Sequence, residues 1–101
     1  MVVDRNHSTR NGEVDLVCRE GGVLCFVEVR SRAGGTHGEP EESVDRRKAL
    51  RVVAAATDWA RRHGALDDDI RFDVLAVTGD ADTPTFELFP GAFDATGGPP
   101  P

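Results

Sequence analysis

Two acids, Asp15 and Glu28, stand in stretches of alternating polarity, Glu13 to Arg19 and Val23 to Arg30, with Glu20, Gly21 and Gly22 between them. Alternation of this kind marks paired strands, and glycine accepts the positive φ that a primed two-residue hairpin turn requires. With Gly21 and Gly22 as the turn, Asp15 faces Glu28 and Glu13 faces Arg30. A three-residue loop through Glu20 with a glycine bulge would make these neighbours diagonal. Like charges directly opposite on a sheet repel. A divalent cation relieves that repulsion, because Mg²⁺ is commonly held by one or two carboxylates, waters and a substrate phosphate. Glu28 also interrupts an otherwise apolar run, Leu24 to Val29, where a charge without a role is unusual. The plain alternative is a pair of solvated acids at an open hairpin end, each beside an arginine.

Other reactive side chains have simpler readings. His7, His37 and His63 lack metal-ligand spacing and are expected at the surface, and Ser8, Ser31 and Ser43 lack the partners a nucleophile needs. Cys18 and Cys25 have neither metal-site spacing nor the number a disulfide framework requires, so reduced, buried thiols are expected. Arg71 and Asp73 fall on one face of an apolar strand, as an internal ion pair or as a wall of the site.

The elements that must position these residues can be read from the same pattern. Val14, Leu16, Cys18, Val23, Cys25, Val27 and Val29 share one hairpin face and are expected in the core, with the opposite face apolar near the turn and charged at the open end. Val2 and Val3 look like the last part of an element closed by Asp4, Arg5 and Asn6. Ser31 to Gly38 is a glycine-rich connection. A helix begins after Asp45 as N-cap, buries Ala49, Leu50, Val52, Val53, Ala56, Trp59 and Ala60, and stops at Gly64. Ile70 to Val77 and Thr85 to Phe89 read as strands. This order predicts an α/β fold, a sheet with one crossover helix. One domain is expected over residues 1–94, followed by a disordered Gly/Pro tail over residues 95–101.

A chain of 101 residues supports a single core. Its net charge of −6 provides no global attraction for nucleic acid or an anionic membrane. A polyanion must therefore be held locally; basic density lies in Arg30, Arg32, Arg46, Arg47, Lys48 and Arg51 and again in Arg61 and Arg62, and Arg30, Arg32, Arg46, Arg47 and Lys48 are the expected nucleic-acid contacts. No charged leader and no apolar run of about 18 residues is present, so a cytoplasmic protein is expected.

Gly12-Glu13-Val14-Asp15-Leu16, Phe26-Val27-Glu28-Val29-Arg30-Ser31-Arg32, Arg47-Lys48 and Arg71-Phe72-Asp73-Val74 together resemble the bacterial YraN-like family, an uncharacterised group similar to archaeal Holliday-junction resolvases. The resemblance runs from about Val2 to Asp94. It implies a restriction-endonuclease-like mixed sheet of the PD-(D/E)xK nuclease superfamily, and a Mg²⁺- or Mn²⁺-dependent nuclease acting on DNA, branched DNA included. By that resemblance Asp15, Glu28 and the carbonyl of Val29 hold the metal, and the catalytic lysine place falls on Arg30. A guanidinium stays protonated and can clamp phosphate but cannot act as a base, so DNA binding without cleavage is the alternative. Lys48, the only lysine, is a candidate replacement from the crossover helix, or a phosphate contact. The family begins with a helix bearing a glutamate, which is expected to be missing here. Apolar surface left uncovered by that helix would suit a homodimer or a fold-only interaction protein.

Overall fold

In a computed structural model, residues 1–32 and 46–98 are described, Arg32 by its backbone alone. Five strands and one helix follow in the order β1 (Val2–Thr9), β2 (Gly12–Glu20), β3 (Val23–Arg32), α1 (Arg46–Arg62), β4 (Asp69–Thr78) and β5 (Thr85–Phe93). The strands lie side by side in sequence order in one mixed sheet. All neighbours are antiparallel except β3 and β4, which are parallel because α1 carries the chain back between them.

The β2–β3 hairpin has the register expected from its glycines, from Glu20 opposite Val23 to Leu16 opposite Val27. Gly21 takes φ +60 and Gly22 does not take a positive φ, the pattern of a type II′ turn. The core face of this hairpin is the opposite of the one expected. Helix α1 packs on the face carrying Val17, Leu24 and Phe26, together with Phe72 and Val74 of β4. The face of Leu16, Cys18, Cys25, Val27 and Val29 carries no described helix. Side-chain size decides the matter, since Phe26 meets Trp59 edge-on at 5.9 Å and stacks on Phe72 at 6.0 Å, and large aromatics contribute most to burial.

Val14 joins the same core although it lies three residues from Val17. Alternation therefore slips by one between them. On the adjoining strand, Asp4 and His7 are also three apart and both reach α1, at Trp59 and Asp58. Asn6 between them has φ 57, a left-handed conformation that asparagine tolerates better than most residues. Strand β1 thus continues through the polar Arg5, Asn6 and Ser8 to Thr9, well past the Asp4–Asn6 stop read from the sequence. An edge strand accepts such residues because one of its sides faces solvent.

Helix α1 buries Ala49, Val52, Ala55, Ala56, Trp59 and Ala60, while Leu50 is left largely exposed. Its expected N-cap, Asp45, lies outside the described residues. The other end is a Schellman motif: Ala65 N–H donates to the Ala60 carbonyl, Gly64 N–H donates to Arg61, and Gly64 takes φ 67. Strand β5 runs on to Phe93, which stacks on Phe72 at 5.3 Å. Within the segment expected to be a disordered tail, Ala95–Gly98 form a turn in which Thr96 and Gly98 N–H groups donate to Asp94 Oδ1. Residues 99–101 lie outside the description. Among the described residues, no helix is long and apolar enough to cross a membrane.

Candidate functional site

Where β2 and β3 separate beyond the Leu16–Val27 pair, their next residues turn inward onto the first turns of α1. Asp15 lies at the slip in β2, and its Oδ2 accepts a hydrogen bond from the Val29 N–H at 2.7 Å. Glu28 follows the buried run Leu24–Val27 on β3. Both carboxylates line one cleft of about 440 Å³, whose other walls include Glu13, Arg30 and Ser31 and, from α1, Lys48, Arg51 and Val52. The acids, the Val29 backbone and Lys48 named from the sequence are therefore in one place. Val52, buried at the cleft floor, makes the site apolar on one side and charged on the others.

Arg30 is not bound to Glu13, the partner its register suggested. Its Nη2 donates to Glu28 Oε2 at 2.6 Å, with both side chains largely buried. Residues two apart on a strand share a face, which is why this pair forms along the strand. Glu13 instead accepts a 3.4 Å hydrogen bond from the Ser8 hydroxyl across the β1–β2 pair.

Arg46 and Arg47 lie around the helix from Lys48. They line a second cleft of about 470 Å³ with Asn11, Leu50 and Arg51, and Arg46 Nε also donates to the Thr96 carbonyl at 3.1 Å. Arg51 lines both clefts and joins them. From the sequence it was one basic residue among several. Its spacing three residues after Lys48 was the available signal, because residues i and i+3 share a helix face. Arg32 is on β3 opposite Thr78, with its side chain outside the description. The first turn of α1 holds no acid, so three cations crowd the positive end of the helix dipole. That arrangement costs stability unless anions are near.

The donor set suits a magnesium-like ion in one respect. Two carboxylates lining a cleft, with water and phosphate completing the shell, is a usual arrangement for Mg²⁺. Among the described residues, no three His, Cys, Asp or Glu side chains converge as a metal group, so a closed, protein-only cage is not what this cleft offers.

The remaining candidates lie elsewhere. Asp73, 1% exposed, is held by Arg71 at 2.8 Å and by the Gly91 N–H at 3.0 Å. It is the internal ion pair, on the sheet face away from α1, and its carboxylate holds the Arg71 guanidinium further up than usual. His7 binds Asp58, His63 stacks on Trp59 at 3.9 Å, and Trp59 is core. His37 and Ser43 lie outside the described residues.

Residues 1–77 match the family described as "Uncharacterised protein family UPF0102". A UPF0102 protein of Anaeromyxobacter sp. (strain Fw109-5) is 62% identical over 98 residues, which is 97% of this chain and 74% of the relative. One from Chromohalobacter salexigens is 44% identical over 93% of this chain and 76% of its own length, and one from Geobacter metallireducens is 37% identical over 92% and 76%.

Proposed function

We propose that this chain, which belongs to the uncharacterised protein family UPF0102, is a restriction-endonuclease-like phosphodiesterase that acts on DNA with the help of a divalent metal ion. One observation carries the reading: Asp15 and Glu28, from adjacent strands, share a cleft with Lys48 and Arg51 of α1. Acids on one wall and cations on the other match what a phosphodiester needs. The anionic backbone is drawn to the cations, and the acids are placed for a metal that bridges protein and phosphate.

Asp15, Glu28 and the Val29 carbonyl would hold the ion, which supplies polarisation of the scissile phosphate and a lowered pKa for an attacking water. The Val29 N–H, donating to Asp15 Oδ2, fixes that carboxylate, and a ligand held in advance loses less freedom on binding. Lys48 and Arg51 grip the phosphate from the helix side, and Arg46 and Arg47 extend the basic path toward Asn11. With an acidic chain overall, this grip is local, and DNA affinity falls steeply as salt rises.

Cleavage of linear and branched DNA in Mg²⁺ or Mn²⁺ tests the reading. Activity drops by about a hundredfold or more in Asp15→Ala and Glu28→Ala, with the fold preserved by circular dichroism. Unchanged activity in both variants overturns it.

The Arg30–Glu28 ion pair favours a second reading, a DNA-binding module without cleavage. An arginine at 2.6 Å already neutralises the carboxylate a metal would need. In that case the wild type binds DNA in a salt-dependent way and cuts none in any metal.

A further inference from the structure

The chain contains two cysteines and one methionine, and all three line a single cleft of about 200 Å³ on the sheet face turned away from α1. Cys18 and Cys25 are direct partners across β2 and β3. Cys25 is 3% exposed and Cys18 half-buried. Only the backbone of Met1 is held near them, its nitrogen donating to the Arg19 carbonyl and its carbonyl accepting from the Arg19 N–H, each at 2.8 Å, and the residue is 85% exposed. Neither thiol is used by the Asp15–Glu28 cleft, which opens on the other face.

Two neighbouring thiols can join directly or be bridged, and strand geometry chooses between these. In a type II′ turn the flanking residues, here Glu20 and Val23, form a hydrogen-bonded pair. Pairs alternate along the ladder, so Cys18 and Cys25 form a hydrogen-bonded pair as well, the wider kind. Facing Cβ atoms on a sheet are separated by about 4.5–5.5 Å, with the wider kind near the top of that range, whereas a disulfide needs about 3.5–4.5 Å. A direct bond would pull the strands together by roughly 1 Å. A bridging atom fills that gap without moving the backbone.

We propose that Cys18 and Cys25, paired across β2 and β3, form a two-coordinate binding site for a soft, thiophilic d¹⁰ cation of the copper(I) type. Thiolate sulfur is the ligand that selects such an ion over the hard cations suited to Asp15 and Glu28. On binding, each thiol gives its proton to solvent and a copper–sulfur bond replaces each sulfur–hydrogen bond, with no change in oxidation state. Burial pushes the Cys25 thiol up from its ordinary value. The site is independent of the phosphodiesterase reading and stands if that reading fails.

The experiment is a competition for copper(I) between the reduced protein and the chromophoric ligand bicinchoninate. Wild type withdraws one equivalent, and Cys18→Ser or Cys25→Ala weakens the affinity by about a hundredfold, with circular dichroism showing the fold retained. Wild type that fails to compete, or either variant binding as tightly as wild type, overturns the proposal. So does a metal-free, reduced protein that oxidised glutathione converts readily to an internal disulfide, two hydrogens lighter, because the thiols would then be close enough to bond directly.

Discussion

On the proposed phosphodiesterase reading, Arg30 would separate catalysis from mere binding. Its guanidinium is locked to Glu28 at 2.6 Å and reaches into the cleft with the acids. A planar fork of fixed charge clamps phosphate well, but it cannot hand a proton to or take one from water. A lysine in its place keeps the positive charge and can shift its protonation when partly buried. Arg30→Lys is therefore expected to raise metal-dependent cleavage by about tenfold or more, the lower end of what a positioned proton-transfer group contributes. DNA affinity should change little, since the charge is conserved. Parallel measurement of cleavage rate and of binding by anisotropy checks both halves. A fall in rate with intact binding would assign Arg30 the role of phosphate clamp in this chain.

The elements meet most tightly where β2 enters the sheet under α1. A Cβ added to Gly12 would lie 2.9 Å from Arg51 Cα and closer still to the Arg51 carbonyl, all of it backbone that cannot swing aside. Gly12→Ala must push the helix away from the strand, and Arg51 and Lys48 move with it. An overpacking cost of about 3 kcal/mol is expected, seen as a lower urea midpoint, together with weaker DNA binding. Gly22→Ala is the contrast. A Cβ there meets nothing within 4 Å, and a near-neutral effect is expected. The hairpin register and the end of α1 were legible because glycines with positive φ, Gly21 and Gly64, punctuate clear periodic runs. The register itself ends at the Leu16–Val27 pair, so Asp15 and Glu28 do not face each other in the ladder but line one cleft where the strands part. What the alternation could not reveal was which face the single helix would cover. The all-apolar face was expected in the core, and the mixed face with Leu24 and Phe26 took its place because the large side chains won. The slip that brings Val14 and Val17 to one side was equally hidden. It falls between the Arg5–Leu16 and His7–Val14 pairs, where Asn6 is left-handed, and strict parity arguments assume no such break. Arg51 escaped notice as a link between two clefts because its role follows from the strand turn at Asn11, which is distant in sequence.

At the scale of the whole molecule, the edge strand β1 is tied to α1 by two carboxylates. Trp59 Nε1 donates to Asp4 Oδ2 at 2.8 Å, and His7 Nε2 meets Asp58 Oδ2 at 2.9 Å. Asp58 also receives Arg61 and Arg62, each at 2.8 Å. Hydrogen bonding holds both carboxyl groups below the ordinary value of 3.8: for Asp58 the His7 bond is the largest cause, followed by Arg62, and for Asp4 the Trp59 N–H, followed by the Arg5 N–H. A carboxyl with a depressed pKa in the folded state binds fewer protons there than in the unfolded chain. Its contribution is therefore complete above the unfolded value and is lost as pH falls through the folded one. Asp80 and Asp94 are also depressed, by the Thr83 and Thr96 groups of their own loops, and they supply acid sensitivity that does not depend on β1. Asp58→Asn removes only the part carried by the strand–helix tie. The variant should unfold at lower urea than wild type at neutral pH, and the difference should shrink as pH falls below about 3.8, where the wild-type carboxylate is being protonated too. Urea midpoints measured across the acid range give the answer. A constant difference at every pH would mean that Asp58 acts through packing alone, and that the charge on it does not hold β1 to the helix.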